Sequence, residues 1–481
     1  LWCDQRLSKL TPAQESPPPN VPFVLVVDQS AGDCSIALGL AGPSCFQQML
    51  REALRDHPDC TVVVKVHPDV IRGRARGHFR RRDLQHPRIH LCADGLHPAA
   101  LLEQARAVYV VTSQMGFEAL MWGKPVHCFG MPFYAGWGLT RDRLQAPARR
   151  RAGIALEALV HAALVAGTRC VDPHRHRRCS IEELMQAIGL QRQLQRSTPA
   201  RVEAFGFTPW KQKSLRRFLA DGDVRCRWAL SLPGRRAEAI AVWGRRVRPL
   251  LLLKAKQRQL PVLRVEDGFL RSVGLGADLI DPISWVVDRT GMYYDATAPS
   301  DLETLLAQSH CSEAQLQRAA ALRQRLVSEA LTKYNLCGPS WQRPASAGRV
   351  VLVVGQVETD ASIRFGAPGL KSNMALLKAV RRAEPDAFLV YKPHPDVVAG
   401  LCRSGAGEQQ ADGFCDQVIT EGSISALFAQ VDALHVLTSL AGFEALLRRV
   451  EVHCWGLPFY AGWGLTQDRY HCSRRGRALS L

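Results

Sequence analysis

The chain contains one long segment twice, and this duplication limits the folds that it can adopt. Residues 116–143 and residues 442–469 are identical at 20 of 28 positions when they are aligned without gaps. A solenoid would repeat a shorter unit many times, with each repeat packed only on its neighbours. Two long copies that begin 326 residues apart instead indicate two domains that share a fold and carry out related work.

Three shorter shared strings extend the repeat upstream in the same order, the third running into the start of the long segment. The offset between the copies stays at 326 or 327 residues throughout, as expected for one fold with one small insertion. The paired strings are VLVVDQSAGDCSI (24–36) with VLVVGQVETDASI (351–363), HPDV at His67 with HPDV at His394, and VVTSQMGFEAL (110–120) with VLTSLAGFEAL (436–446).

Length and composition indicate an ordinary folded protein. The 481 residues allow about three domains of average size. The sequence contains no run approaching the roughly 18 apolar residues of a membrane span and no signal-peptide pattern at its start. Its 15 cysteines are scattered without a CxxC pair, which favours a reducing compartment and argues against a disulfide framework or a zinc site.

The chain is strongly basic, with 62 Lys and Arg against 44 Asp and Glu, a net charge of +18. Nucleic acid, anionic lipid headgroups and anionic substrates are all compatible with this charge, and so are simple solvated basic loops. We find no RNP aromatics, helix-turn-helix signature or zinc finger in the sequence. Nucleic acid is therefore not an expected partner.

Short apolar runs alternate with segments of helical periodicity in both copies. This alternation predicts an α/β fold in which a parallel sheet carries helices on both faces. Residues 201–345 form a second kind of α/β unit without an earlier counterpart. The expected divisions are a proline-rich linker at 1–22, the first copy at 23–150, a helical tail and linker at 151–200, the intervening unit at 201–345 and the second copy at 346–481.

A KPHPD motif follows a predicted strand of the second copy and contains Lys392, His394 and Pro395. The first copy has the corresponding HPD string at His67. Ligands of open α/β sheets bind beyond the carboxyl ends of the strands. Two prolines stiffen the loop there, so that the imidazole and the ammonium group are held where they can bind a phosphate. The alternative is a turn with a surface histidine, and the recurrence of the motif argues against that.

The TSxxGFE motif contains Thr438, Ser439 and Glu444, matched by Ser113 and Glu118 in the first copy. Hydroxyl groups just before a helix cap its amino end, and the same end attracts anions. Capping alone is the alternative explanation for the serine. The glutamate one turn later suits the helix dipole or the hydroxyls of a ribose.

A QxxxD motif follows the predicted strand at 350–354 and contains Gln356 and Asp360, with Asp33 at the matching place in the first copy. A carboxylate at a strand end can be a nucleophile, a base or a turn residue. Glu266, Asp267 and Gly268 follow the predicted strand at 261–265, a few residues before Arg271. Adjacent acids there can place one carboxylate in a cleft, although EDG alone is more often a turn.

The longest shared string, PFYAGWGLT, occurs at 132–140 and 458–466 and is followed in both copies by an aspartate. Its aromatic residues and glycines favour a packed loop at a cleft or a lobe junction. We derive no chemical role for it from the residues themselves.

Taken together, these strings resemble the capsule polysaccharide biosynthesis family of the KpsC/LipB type, over nearly the whole chain. EDGFLRSVGLGA (266–277), YYDAT (293–297) and LTKYN (331–335) belong to the same resemblance. It implies tandem glycosyltransferase modules of the GT-B type, each with two Rossmann-like lobes around a cleft. Residues 23–150 would be the second, donor-binding lobe of module 1, while 201–345 and 346–481 would be the acceptor-side and donor-binding lobes of module 2.

The resemblance also implies an activity. The expected enzyme is a retaining transferase that moves β-linked Kdo (3-deoxy-D-manno-oct-2-ulosonic acid) from CMP-Kdo to a (lyso)phosphatidylglycerol-based poly-Kdo linker. No metal or other cofactor is expected, because the donor is already activated. The implied partners are CMP-Kdo, an anionic glycolipid acceptor, the inner-leaflet membrane surface and the capsule export machinery. The implied location is the cytoplasm, peripheral to the inner membrane, where the basic charge suits acidic lipids.

The family's functional residues fall on the motifs described above. Catalytic carboxylates would be Glu266, Asp267 and Asp360, with Asp33 in the first copy. Which carboxylate is the nucleophile and which is the base stays open. The donor-binding residues would be Lys392, His394, Pro395, Thr438, Ser439 and Glu444, with His67, Ser113 and Glu118 in the first copy, and the supporting residues would be Gln356, Gly268 and Arg271.

Two departures from the family pattern affect these expectations. The first copy has no preceding EDG lobe and the second has no trailing tail, so we expect a chain truncated at both ends. Arg449 stands where the first copy has Gly123, at a helix end where glycine is usual. The alternatives to a Kdo transferase are a catalytically degenerate scaffold that binds polysaccharide or lipid, and a GT-B transferase that uses another nucleotide sugar.

Overall fold

The computed structural model describes residues 1–9, 15–93, 97–150, 152–173, 176–219, 223–245, 247–274, 280–311, 313–336 and 338–481. The chain divides into two compact units, Leu1–Thr198 (unit 1) and Pro199–Leu481 (unit 2). Residues 10–14 of the expected linker and residues 275–277 of the EDGFLRSVGLGA string lie outside the described residues.

The described part of unit 1 contains a six-stranded sheet. Its strands are β1 (Phe23–Val27), β2 (Thr61–Lys65), β3 (Ile89–Cys92), β4 (Val108–Val110), β5 (Val126–Cys128) and β6 (Arg141–Asp142). They lie in the order β3-β2-β1-β4-β5-β6, and every neighbouring pair is parallel. The helices between them are α1 (Cys34–Leu38), α2 (Pro43–Asp56), α3 (Pro68–Ile71), α4 (Ala99–Gln104) and α5 (Met115–Met121).

The tail of unit 1 is helical at both ends, as its periodicity predicts. Helix α6 (Leu156–Val160) continues as a π-helical stretch, and α7 runs from Ile181 to Ser197. Between them β7 (Cys170–Val171) and β8 (Arg178–Cys179) form an antiparallel hairpin that the sequence did not reveal. Helix α7 begins at a capping box, because the Ser180 hydroxyl accepts from the Glu183 N–H and the Glu183 carboxylate accepts from the Ser180 N–H.

Unit 2 begins with a mixed sheet. Its strands are β9 (Arg201–Phe205), β10 (Asp223–Arg227), β11 (Ala239–Trp243), β12 (Val262–Asp267) and β13 (Trp285–Asp288), in the order β10-β9-β11-β12-β13. Only β13 runs antiparallel to its neighbour. The helices are α8 (Pro209–Phe218), α9 (Pro249–Gln257), α10 (Asp301–Gln308) and α11 (Glu313–Ser328). Strands β9 and β10 carry charged residues and were not predicted; Glu203 and Arg227 within them form an ion pair of 2.9 Å.

The second sheet of unit 2 repeats the topology of unit 1. Its strands are β14 (Val350–Val354), β15 (Phe388–Lys392), β16 (Gln417–Val418), β17 (Ala433–Val436), β18 (Glu451–Cys454) and β19 (Gln467–Asp468), in the order β16-β15-β14-β17-β18-β19. Neighbouring strands are parallel. The helices are α12 (Ala361–Gly366), α13 (Asn373–Ala383), α14 (Pro395–Val398), α15 (Ile424–Phe428) and α16 (Ala441–Leu447).

The central strand β14 shows why this sequence forms a sheet covered on both faces. All five of its residues are buried. Val350 and Leu352 pack into one hydrophobic cluster with α16, whereas Val351 and Val353 pack into another with α13. Successive strand residues point to opposite faces, so an uninterrupted apolar run requires a cover on both sides. The predicted fold class, α/β with Rossmann-like sheets, is confirmed.

Arg449, at the end of α16, has the backbone conformation that glycine adopts in the first copy. Its φ is 63°, and φ of Gly123 is 68°. A side chain in this left-handed region clashes with the backbone. We expect Arg449→Gly to raise the free energy of unfolding by about 0.5–1 kcal/mol, measured by urea denaturation. The control Gly123→Ala should lower it. An unchanged or lower stability of Arg449→Gly would show that the arginine compensates for its strain.

Candidate active site

A cleft of about 630 Å³ lies between the two sheets of unit 2. It opens at the carboxyl ends of β12, β14, β15 and β17, where ligands of parallel α/β sheets bind. The structure brings ten of the sequence-predicted site residues together in its lining. They are Glu266, Asp267, Gln356, Asp360, Lys392, His394, Pro395, Thr438, Ser439 and Glu444.

Glu266 is held by a strand, not by the loop that the sequence suggested. Strand β12 extends through Asp267, because the antiparallel β13 continues the ladder to Val286 and Trp285. The Glu266 carboxyl group lies in the cleft against Gly244, whose added Cβ would stand 3.1 Å from Oε2. Burial raises the pKa of Glu266 to about 7. A carboxyl group titrating near neutral pH suits general acid–base chemistry.

Asp267, in contrast, is fixed by a cation. The buried Arg271 donates from Nε to Asp267 Oδ2 at 2.9 Å and from a terminal nitrogen to the Ser272 hydroxyl at 3.1 Å. Gly268 allows this turn, because an added Cβ would stand 2.2 Å from Ser284 Oγ. Gly268 and Arg271 are outside the cleft lining and act as supports for the Asp267 carboxylate.

Gln356 joins the ends of two strands beneath the cleft. Its Oε1 accepts from the Thr438 N–H at 2.9 Å, and its Nε2 donates to Thr438 Oγ1 at 3.1 Å. The buried Asn373 accepts from the Gln356 N–H at 2.9 Å. An amide satisfied on both sides in this way has one orientation, so Gln356 sets the spacing between β14 and β17. Its supporting role in binding stays a prediction.

Asp360 lines the cleft as the N-cap of α12. Its carboxylate accepts from the Ser362 N–H at 2.9 Å while the residue stays exposed. Asp33 caps α1 in the same manner, accepting from Ser35 N–H at 2.9 Å. Burial alone would raise the pKa of Asp33, but the hydrogen bonds from Ser35 and Gln29 outweigh burial and lower it. Both aspartates therefore have the local geometry of turn residues, which was one of the alternatives from the sequence. Asp360 also lines the cleft.

Lys392 is the last residue of β15 and His394 follows the strand; both line the cleft. His394 Nδ1 accepts from the Asp396 N–H at 3.2 Å and so caps α14, which leaves Nε2 as the donor of the neutral ring. Burial lowers the pKa of His394 and that of Lys392. Lys392 Nζ donates to the Glu421 carbonyl oxygen at 3.0 Å. These donors suit an anionic ligand at the strand ends.

Thr438 and Ser439 lie between β17 and α16. The Ser439 hydroxyl accepts from the Ala441 N–H at 3.2 Å in a local turn, whereas the N-cap position of α16 is Leu440 and carries no side-chain cap. The Ser439 carbonyl oxygen accepts from the Tyr460 hydroxyl at 2.5 Å. The PFYAGWGLT loop, which contains Tyr460, therefore holds the loop that contains Ser439 in place. Ser113 has the same arrangement in unit 1, accepting from Met115 N–H at 3.3 Å and bonded through its carbonyl to Tyr134.

Glu444 binds the backbone of the segment between α11 and β14. Its Oε1 accepts from the Lys333 N–H at 2.7 Å, and burial raises the pKa of its carboxyl group to about 7. In unit 1 the corresponding Glu118 accepts from the Lys9 N–H at 3.0 Å. The duplicated fold therefore begins earlier than the sequence strings suggested. The sequence signal for this earlier start is a match of three residues, Leu7-Ser8-Lys9 with Leu331-Thr332-Lys333, and it is too short to be recognised as a repeat without the structure.

The YYDAT and LTKYN strings, which the sequence analysis quoted only as part of the family resemblance, also contribute residues to the cleft lining. Tyr293, Tyr294 and Lys333 are the titratable residues among them whose pKa is shifted. Burial alone would lower the pKa of Lys333, but neighbouring Tyr334, Tyr293 and Asp267 outweigh it and raise the pKa. Lys333 therefore stays an ammonium group next to the acidic EDG segment. Burial raises the pKa of both tyrosines, so their hydroxyls stay protonated donors.

The first copy keeps the local geometry of these motifs within unit 1. Gln29 Oε1 accepts from the Thr112 N–H at 2.9 Å, as Gln356 does from Thr438. His67 caps α3 by accepting from Asp69 N–H at 3.2 Å, and it also contacts the Ser30 hydroxyl at 3.1 Å. Lys65, at the place of Lys392, donates to Ser16 Oγ at 2.8 Å.

The PFYAGWGLT loop is a packed structural element in both copies, as favoured from its composition. The Gly462 N–H donates to Asp468 Oδ2 at 2.7 Å, and Trp463 Nε1 donates to the Phe459 carbonyl oxygen at 2.8 Å. An added Cβ at Gly442 would stand 2.1 Å from the Tyr460 hydroxyl oxygen, so the loop requires this glycine beneath it. Phe459 also lines the cleft.

One group of described residues has metal-ligand spacing, and it lies away from the cleft. Glu384, His435 and His453 place one ligand atom each within 4.8 Å of one another. The indole N–H of Trp455 donates to His435 Nδ1 at 3.0 Å, so the neutral ring carries its proton on Nε2, the atom that faces Glu384. Arg349 already pairs with Glu384 at 3.3 Å. This chemistry disfavours a cation there.

Among the described residues, no helix combines the length and the apolar character needed to cross a bilayer.

The fold and the cleft define a class of proteins that bind a ligand between two Rossmann-like sheets, and comparison with known proteins identifies the family. The family model "Capsule polysaccharide biosynthesis protein" matches residues 2–169, 238–337 and 340–478. The chain therefore belongs to the capsule polysaccharide biosynthesis family, as the sequence strings predicted.

Capsule polysaccharide modification protein LipA of Neisseria meningitidis serogroup B is 38% identical over 473 residues, covering 95% of this chain and 66% of LipA. This chain thus spans just under two thirds of that relative's length. Lipopolysaccharide-processing protein LpsZ of Rhizobium meliloti is 37% identical over 311 residues, 62% of this chain and 69% of LpsZ.

A solved structure of KpsC from Thermosulfurimonas dismutans, described as a beta Kdo 2,4 transferase, is 32% identical, with a TM-score of 0.50. The match covers 59% of this chain and 88% of that chain. The chain is therefore related to a Kdo transferase, in sequence as well as in fold.

Proposed function

We propose that unit 2 is a glycosyltransferase module of the GT-B type, which transfers β-linked Kdo from CMP-Kdo to an anionic glycolipid. The acceptor that fits the resemblance is a (lyso)phosphatidylglycerol-based poly-Kdo linker. The observation that carries the proposal is the cleft itself. Ten residues predicted from four separate motifs line a single cavity between two Rossmann-like sheets. The similarity to KpsC, a β-Kdo transferase, supports the choice of sugar.

The donor would bind over the second sheet of unit 2. CMP-Kdo carries a phosphate and a carboxylate, and both need cationic or N–H donors. His394, Lys392 and the loop of Ser439 supply such donors at the ends of β15 and β17. In this proposal Glu444 accepts from the Lys333 N–H and so positions the segment that contains Lys333. The Glu444 carboxylate would bind the ribose as well only if it accepted from a ribose hydroxyl and from the Lys333 N–H at the same time.

The reaction would need two carboxyl groups with different properties. Asp360 would attack the anomeric carbon of Kdo, and the bond from that carbon to the phosphate oxygen would break, so that CMP leaves with the electron pair. The acceptor hydroxyl would then displace the Asp360 carboxylate and give its proton to Glu266. Two inversions retain the configuration. The support for this assignment is that Glu266 has a pKa near 7, suited to accepting a proton, whereas Asp360 is exposed to the cleft as a helix cap.

No metal takes part in this scheme, because the Lys333 ammonium group would supply positive charge beside the departing phosphate and the neutral His394 ring would donate a hydrogen bond to it from Nε2. We also propose that the protein works in the cytoplasm, on the inner membrane, where its acceptor and the capsule export machinery are located. Unit 1 repeats the donor-binding motifs and would serve a second transfer when it is combined with an EDG lobe of its own.

The test is an assay of the 481-residue chain with CMP-Kdo and a glycolipid that already carries one or two Kdo residues. We expect added Kdo mass in the product. Asp360→Ala should abolish it, and His394→Asn should reduce it at least about tenfold, since asparagine keeps the α14 cap but removes the imidazole. Added mass that persists in both variants would contradict the proposal. A folded protein that binds the glycolipid but adds no mass would support the scaffold alternative.

A further inference from the structure

An apolar loop follows the edge strand β10 in the first sheet of unit 2. Trp228 and Leu230 are 87% and 78% exposed, and Leu232 is exposed as well. Single exposed apolar residues are common on protein surfaces, but three within five positions, led by a tryptophan, are not. The cleft does not use these side chains, because none of them belongs to its lining.

The exposure is part of a fixed structure, since both ends of α9 hold the loop. Arg248, the N-cap residue of α9, donates to the Ala229 carbonyl oxygen at 3.1 Å. Arg258, at the other end of α9, donates to the carbonyl oxygens of Pro233 and Gly234, both at 2.9 Å. The loop therefore lies along α9 and presents its apolar side chains to solvent.

Helix α9, to which the loop is hydrogen-bonded, also carries two exposed leucines. Leu250 and Leu253 are 45% and 51% exposed, while Leu251 and Ala255 face the core. The sequence of the helix, PLLLLKAKQ, thus provides more apolar residues than the core takes up. We call the loop 228–232 together with Leu250 and Leu253 the Trp228 surface.

Basic residues flank the Trp228 surface on both sides in sequence. Arg225 and Arg227 are exposed on β10 just before the loop, and each has an acidic partner, Asp223 and Glu203. Arg235 and Arg236 follow the loop and are also exposed. No ion pair joins either of these two arginines to a carboxylate among the residues that the structure describes.

We propose that the Trp228 surface inserts into the headgroup region of an anionic lipid bilayer, with Arg235 and Arg236 bound to lipid phosphates. An indole and leucines with a basic rim have the composition of interfacial membrane anchors. Charge decides against a second copy of this chain, because a two-fold pairing would bring the two arginine rims together. The inference rests on the proposed function, in that the surface brings the acceptor-side lobe to a lipid-linked acceptor.

The first experiment measures flotation of the chain with vesicles of phosphatidylcholine alone and of phosphatidylcholine mixed with phosphatidylglycerol. The double variant Trp228→Ser/Leu230→Ser should bind the mixed vesicles at least about tenfold more weakly than the parent chain. Arg235→Gln/Arg236→Gln should weaken the binding and reduce its dependence on salt. The matched control is Leu38→Ser, which removes an 82% exposed leucine from unit 1 and should bind like the parent.

The outcomes separate this inference from the proposed function. The proposal that the Trp228 surface binds membranes is overturned if the apolar double variant binds the mixed vesicles as strongly as the parent does. It is also overturned if the parent binds neutral vesicles as strongly as the mixed vesicles. A double variant that changes the molecular mass in solution without changing vesicle binding overturns it in favour of self-association. Kdo transfer to a water-soluble acceptor is measured in parallel; its absence in the parent rejects the proposed function and leaves the vesicle result intact.

Discussion

Glu266→Gln is expected to lower kcat for Kdo transfer by a factor of about 10² to 10⁴, with little change in the KM for CMP-Kdo. Glutamine keeps the size and the hydrogen bonds of the side chain but cannot accept a proton from the acceptor hydroxyl. Burial raises the pKa of Glu266 to about 7. As the base must be ionised, transfer by the parent chain should fall as the pH drops below about 7, and this limb should be absent from any residual activity of the variant.

The matched control is Glu444→Gln, because burial raises the pKa of Glu444 to about 7 as well. Its amide oxygen can still accept from the Lys333 N–H, the contact that the carboxylate makes at 2.7 Å. The control should keep the acidic limb of the pH profile and most of kcat. A Glu266→Gln enzyme with parental kcat, or an acidic limb that disappears in Glu444→Gln instead, would contradict the assignment of Glu266 as the base.

Arg475→Met is expected to lower the free energy of unfolding of unit 2 by about 3 kcal/mol, as breaking a buried ion pair usually does. Arg475 is 4% exposed and donates from Nε to the buried Glu303 at 2.8 Å. It also donates to the carbonyl oxygens of Pro458 and Ala461 in the PFYAGWGLT loop. In the variant, the Glu303 carboxylate and the two carbonyl oxygens each lose the hydrogen bond from Arg475. The contact between the segment around Arg475 and α10 is weakened as a result. Denaturant unfolding gives the change directly.

The pH dependence of the Glu303 ion pair has a definite sign. Burial alone would raise the pKa of Glu303, but hydrogen bonds from Arg474 and Arg475 outweigh it and lower the pKa. The stabilisation is therefore present above the pKa of an unfolded glutamate and is lost as the pH falls through the lower folded value. Arg477→Met, which removes a donor to the Ser309 carbonyl oxygen, is the control and should change stability by less than about 1 kcal/mol. Equal losses in both variants would contradict the special role of Arg475.

The sequence predicted the parts of the site that follow from strand geometry. The apolar run at 350–354 marked β14 with its observed bounds, and motifs that follow parallel strands meet at one edge of the sheet. His394, Ser439 and Gln356 were therefore expected to lie near one another before the fold was known. The repeat strengthened this prediction, because unrelated turns would not recur in the same order.

Contacts between distant segments could not be predicted in this way. The bond from Glu444 to the Lys333 N–H joins residues 111 positions apart and depends on how the two lobes of unit 2 pack. The extension of β12 through Glu266 requires the antiparallel β13, which the alternating α/β pattern does not suggest. The exposure of Trp228 was also hidden, since tryptophan occurs both in cores and on surfaces and the sequence does not distinguish the two.

Calorimetric titration with CMP tests the central claim, that the cleft of unit 2 binds a cytidine nucleotide through the loop after β15. We expect a binding event that His394→Asn weakens at least about tenfold and that His67→Asn, the matched change in unit 1, leaves in place. Both variants retain an oxygen that can cap the short helix after the histidine, so a loss of fold does not confuse the comparison. No CMP binding by the parent chain, or binding that is unchanged in His394→Asn, would contradict the account.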